Sequence, residues 1–405
     1  MSSHTESAAP GSLDLSRWRK LPTILMAAGG GLALIGLAID PKQLGYSWLL
    51  AFMFFLSICL GSLFLVILHH LFDAMWTVPL RRFVEHLACL APWMLALFIP
   101  VLILAPRIYP WMDPANADHA LHAKHAYLNV PMWYARVAVL FGIWIFLTRG
   151  LRKWSLKQDE TGAAECTFRM RRYAAAGIFL FAVTLTLAAI DWMKSLQHQW
   201  FSTMYGVYYF AASVWTTLAT VYVLLVVLKR AGPLRHVVRE RQFHDTGVLW
   251  FAFTVFYAYV TFSQYFLIWN AALPEETFWY IQREQGSWWD IGMVIIFGHF
   301  LLPFLTLLRI DAKLNLAVML PLCVWAWLMH YCDLSYNIMP VIHPGGFPGQ
   351  WIWLDAACFA FIGGALAKLF IRSFNAHPPY PQRDPRFAET MEVYVPPAAQ
   401  SRGAR

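Results

Sequence analysis

His69, His70 and Asp73 close one apolar block of the chain, and Glu85 and His86 open the next. A tight turn with Pro79, Arg81 and Arg82 joins the two blocks, so an antiparallel hairpin would gather His70, Asp73, Glu85 and His86. Imidazoles and carboxylates grouped in this way can accept and pass protons at neutral pH. The same residues can equally be interfacial groups in water, or partners of Arg81 and Arg82. Further on, Arg136 lies nearly two turns inside an apolar block, and Asp191 ends the following one, with Lys194 and His198 just beyond. An arginine at that depth calls for a carboxylate, which predicts an Arg136–Asp191 pair, read either as a structural clamp or as part of a proton path.

The second half adds Gln264, Tyr265, Asn270, Glu275, Glu276, Asp290, His299, His330 and Asp333. His299 falls in the middle of its apolar block, and His330 near the outer end of its own. Paired axial ligation of haem needs matched depth, so hydrogen-bonded core or proton-path histidines are the simpler reading. His119, His122 and His125 have helical spacing but no companion carboxylate motif, which suits a docking surface and predicts no metal site. None of the six cysteines forms a Cys-x-x-Cys or haem-attachment pattern, and no redox cofactor is expected on this chain.

What must position these groups is set by composition. Of 405 residues, 59% are hydrophobic and 13% charged, about half the usual charge density of soluble domains, which excludes an ordinary soluble enzyme. Windows of about 19 residues predict an all-α integral membrane protein with ten transmembrane helices. The spans are 21–39, 46–68, 83–105, 130–148, 173–190, 205–228, 248–269, 288–308, 314–331 and 351–371. An even count puts both termini on one side. Residues 1–20 read as a polar N-terminal tail without a cleavable signal, and 375–405 as a Pro-rich, extended C-terminal tail. The net charge of +8 reflects basic residues gathered in the loops of one side, not along a face for nucleic acid. That side holds 24 Lys and Arg against 5 on the other, with Arg136 and Lys368 inside spans, so both termini are expected in the cytoplasm.

Three stretches carry a family resemblance: YLNVPMWYAR (127–136), DWMKSLQHQWFSTMYGVYYFA (191–211) and YVTFSQYFLIWNAALPEETFWY (259–280). They resemble the polysulfide-reductase membrane-subunit (NrfD-like) family, most closely the branch found in bacterial alternative complex III, with similarity running from the first span to the tenth. The resemblance implies two four-helix bundles, spans 2–5 (residues 46–200) and 6–9 (201–345), flanked by a first helix (21–45) and a tenth (346–374). It also implies a bacterial inner-membrane location within a respiratory quinol:electron-acceptor oxidoreductase. Its partners there would be a multihaem cytochrome c subunit, an iron–sulfur protein subunit, a sibling quinol-oxidising membrane subunit and lipids, with haem c and iron–sulfur clusters held by those partners. In the sibling subunit a second-span histidine in a Gly-x-Gly-His context helps bind quinol; here the stretch reads CLGSLFLV, with Ser62 at that position. The implied contribution is then proton translocation or assembly, along His70, Asp73, Glu85, His86, Arg136, Asp191, His198, Gln264, Asp290 and His299, with a degenerate quinone pocket near Ser62, Arg136 and Asp191. The alternatives are that this chain itself binds and oxidises quinol, or that it is a secondary transporter.

Overall fold

The computed structural model describes residues 20–116 and 118–391, so the tail over 1–19 and the end of the chain from 392 lie outside the described residues. Ten helices are long and apolar enough to cross a membrane. They are α1 (Leu21–Ile39), α2 (Pro41–Phe72), α3 (Met75–Ile108), α4 (Val130–Thr161), α5 (Ala164–Trp192), α6 (Tyr205–Arg230), α7 (Glu240–Ala271), α8 (Ser287–Leu308), α9 (Leu316–Val341) and α10 (Gly349–Asn375). No strand occurs among the described residues. Helix is what an apolar sequence must form in lipid, because every backbone N–H and C=O then finds its partner within the segment.

Local chemistry sets the ends. Asp40 accepts from the backbone N–H groups of Lys42 and Gln43, with Pro41 in the first turn of α2. Asn129 caps α4 through Met132 N–H, and Gly162, at φ 64°, stops it. Most helices outrun their sequence windows, and α4 and α9 do so by ten residues or more at one end. The window for α4 ends at 148 but the helix runs to Thr161, because hydropathy senses the edge of the hydrocarbon and not the end of the helix. Its extra turns carry Arg152, Ser155, Gln158 and Asp159. The window for α9 ends at 331 but the helix continues to Val341, since buried Asp333, Ser335 and Asn337 depress the hydropathy without breaking it.

α2 sits at the centre, with 89% of its most apolar window buried against 17% for α1. It packs on α3 and α5 on one side, and on α6, α9 and α10 on the other. α3 meets α4 and α4 meets α5; α6 meets α7 and α9, and α8 fills the space between α7 and α9. The α2–α6 contact is close: a Cβ on Gly61 would clash with Thr217 Oγ1 and lie 2.8 Å from the Ser213 carbonyl. α1 packs mainly on α10. Exposed Leu34, Ile103 and Phe179 give the exterior the apolar surface that lipid requires. In α8, Ile295–Leu301 widens into a π-helical segment that contains His299. After α10 the chain folds back across the α2–α3 corner, ending in the short helix Phe387–Thr390.

Candidate functional site

Three groups of buried ionisable residues occupy different levels of the packed helices. At the end where α2 meets α3, Glu85 lies between Arg81 (3.2 Å), Arg82 (3.4 Å) and Arg152 (3.0 Å), and accepts from Ser155 Oγ at 2.7 Å. Arg82 also pairs with Asp159, and Arg81 with Asp384. His86 contacts Ser373 Oγ at 2.7 Å and Arg152 at 3.2 Å. Asp73, the left-handed cap of α2, pairs with Arg171 and with Arg386 at 2.8 Å. The hairpin therefore does not set the four expected residues against one another. Arginines from α3, α4, α5 and the C-terminal segment stand between them, because that many cations need every carboxylate nearby. His69 reaches Thr77 Oγ1 at 2.5 Å and Arg386 at 3.2 Å, whereas both ring nitrogens of fully buried His70 have no protein partner. Beside His69, Thr77 and Arg81 is a cavity of about 20 Å³, room for about one water.

Here the C-terminal segment forms a strap. Asp384 bonds Arg81 and Arg386, Gln382 N–H donates to Asp159, Arg383 donates to the Glu160 carbonyl, and Thr390 Oγ1 to that of Met75. Burial alone would raise the Asp384 carboxyl, but Arg81 and Arg386 hold it below the usual carboxylate value.

At the opposite end the expected Arg136–Asp191 pair is present and bidentate, Nε to Oδ2 at 2.6 Å and Nη2 to Oδ1 at 3.0 Å. Tyr127 lies under the guanidinium, 3.9 Å from it, and accepts from it through its carbonyl. His198 is not part of this pair; it contacts Asp118 at 3.0 Å in the neighbouring loop. Asp118 also accepts from Gln199 and Leu121 N–H, which together lower its carboxyl to about 2. Gln264 bridges Ser202 and Tyr280, and Asp290 is exposed at the start of α8. His119, His122 and His125 are all exposed.

The third group lies between α6, α7, α8 and α9. His299, His330 and Asp333 are buried, and their ligand-type atoms lie within 4.8 Å of one another. His330 is inside α9 and not near an end, because the helix continues to Val341. This removes the difference in depth expected between the two histidines. His299 is sandwiched by Trp215 and Tyr257, each ring 3.8 Å away, and neither of its nitrogens has a protein partner. His330 contacts Ser57 Oγ at 2.9 Å through Nε2, and Tyr208 and Tyr257 donate to Asp333 Oδ1. His330 Nδ1 and Asp333 Oδ2 are left without protein partners. A buried polar atom without a partner costs about 1–3 kcal/mol, so four in one place are a substantial load on the core. Asn337, Tyr205 and buried Arg283 extend the polar line outward. Arg283, lowered to about 10 by burial, spends its donors on the carbonyls of Tyr336, Trp279 and Asn337 and on Gln197.

Asp333 and Arg283 escaped emphasis in the sequence, where a window boundary and a loop position hid them. Ser62, the expected pocket residue, is fully buried with its hydroxyl unpartnered. A cleft of about 480 Å³ opens elsewhere, between α2, α6, α9 and α10, lined by Phe54, Phe55, Trp327, Tyr331, Asp355 and Phe359. There Tyr331 donates to Asp355 Oδ2 at 2.7 Å, while Oδ1 is unpartnered. No protein-family model matches the chain, and no curated protein shows significant similarity to it.

Proposed function

We propose that the chain is a membrane subunit of a respiratory quinol:electron-acceptor oxidoreductase of the alternative complex III type, contributing to proton translocation beside a quinol-oxidising sibling subunit. The observation that carries this reading is the placing of buried ionisable groups at both ends of the same set of helices, since each such group costs a few kcal/mol to place in a membrane and so points to a use. The family resemblance supplies the electron-transfer context, with haem and iron–sulfur groups held by partner subunits. The grouping of spans 2–5 and 6–9 into two four-helix bundles belongs to the same proposal, and is supported by the neighbour relations of α2 to α5 and of α6 to α9.

In this mechanism Glu85 and its arginines fix the electrostatic field at the cytoplasmic mouth, and His70 carries the proton. Asp73 and His86 anchor the surrounding cations. On the release side Arg136 holds Asp191, and a change in their separation, coupled to quinol oxidation in the sibling subunit, changes the carboxylate's appetite for a proton. Complexes carrying Glu85→Gln or Asp191→Asn, assembled normally in liposomes, should lose proton translocation while retaining electron transfer. Unchanged proton-to-electron ratios in both would refute the mechanism.

A second reading, that this chain itself binds quinol, is favoured by the cleft at Tyr331 and Asp355. Its aromatic walls suit a ring, and the unpartnered carboxylate oxygen suits a hydroxyl donor. Photoreactive quinone analogues should then label the peptides holding Phe54 and Phe359; labelling confined to the sibling subunit excludes this reading.

A further inference from the structure

We infer that His299, His330 and Asp333 form a binding site for one divalent first-row transition-metal ion. Two imidazoles and a carboxylate are the donor set that such ions take, and here their ligand-type atoms lie within 4.8 Å of one another in a buried position. The pattern of partners supports an ion over an ordinary packed core. His330 engages Ser57 through Nε2 and leaves Nδ1 over, and Asp333 engages Tyr208 and Tyr257 through Oδ1 and leaves Oδ2 over. One atom of each of these two ligands is thus held by a neighbouring hydroxyl, and the other is without a protein partner, as in sites whose surroundings orient the ligands. His299 has both nitrogens unpartnered and its ring fixed by stacking on Trp215 and Tyr257.

The π-helical segment adds an independent sign. It costs backbone hydrogen-bond geometry, and it falls on the turn of α8 that contains His299. The site is separate from the proton half-paths proposed for Glu85 and Asp191, and its test does not depend on them.

The full-length chain, purified in detergent and stripped with a chelator, is titrated with Co²⁺ and followed by visible ligand-field absorption. One tightly held Co²⁺ per chain is expected, displaced by Zn²⁺. His299→Gln, His330→Gln and Asp333→Asn should abolish it, whereas His119→Ala/His122→Ala/His125→Ala should bind as wild type. Ser57→Ala, which removes only the group behind His330, should weaken it roughly 10-fold. A wild-type chain that binds no Co²⁺ overturns the inference without recourse to any variant. Equal binding by wild type and Asp333→Asn overturns it as well.

Discussion

The carboxylate of Asp191 is fully buried, and the Arg136 guanidinium supplies two of its hydrogen bonds. Arg136→Ala should therefore cost about 3–5 kcal/mol, because it leaves a buried charge unpaired, whereas Arg136→Met combined with Asp191→Leu should recover most of the loss. A double-mutant cycle on denaturant unfolding in micelles reads this coupling. Next to the pair, Lys194 is lowered to about 8, first by burial and then by Lys124, against the opposing pull of Asp191. Since the unfolded amine titrates at 10.5, folding is penalised for carrying the charge below pH 8, and stability gained from this group rises between pH 8 and 10.5. Lys194→Met should abolish that rise in thermal unfolding followed against pH. The Arg136–Asp191 pair was legible in the sequence because an arginine deep in an apolar block has few ways to be satisfied. The His299–His330–Asp333 group was not, because its members come from two spans whose relative depth depends on where α9 ends.

Among the elements, α2 and the C-terminal strap are the two whose behaviour follows most directly from contacts. Gly61→Ala drives a Cβ into Thr217 Oγ1, so α2 and α6 must separate, and overpacking of this kind costs about 1–3 kcal/mol. Unfolding of the variant in micelles should show the loss. The strap depends on Asp384, whose carboxyl is held low by Arg81 and Arg386. A lowered carboxylate contributes its stability above the ordinary value of 3.8 and loses it as pH falls through the lowered one, so the strap is secured at neutral pH. Asp384→Asn should release it, and faster tryptic cleavage after Arg383 and Arg386 is the readout. The sequence indicated a Pro-rich extended tail here, and composition does foretell a lack of long helix. It does not foretell the ion pairs, because Arg81, Asp384 and Asp73 are brought together only once α2, α3 and the tail are folded.

For the molecule as a whole, ten helices long and apolar enough to cross a membrane were legible because hydrocarbon thickness sets a minimum length for every apolar stretch. Their lateral order was not, since apolar faces of similar composition do not name their neighbours and close approach depends on single small residues such as Gly61. The proposed orientation, with the basic loops in the cytoplasm, predicts residue 115 on the outer side and residue 157 inside. Ala115→Cys should accordingly react with an impermeant maleimide on intact cells, and Lys157→Cys only after lysis. The pairing of α1 with α10 also bears on the order of events during synthesis. Their contact is tight, a Cβ on Gly29 falling 2.5 Å from the Ala357 carbonyl, yet more than 300 residues separate the two helices. At roughly 5–20 residues per second, the ribosome delivers the second partner tens of seconds after the first. Throughout that interval α1 waits in lipid with its glycine face uncovered, and Arg81 waits nearly as long for Asp384, 303 residues further on. A nascent chain stalled before its last helix is therefore marked by the surfaces it has not yet covered, which makes translation of the final spans the step at which the fold locks.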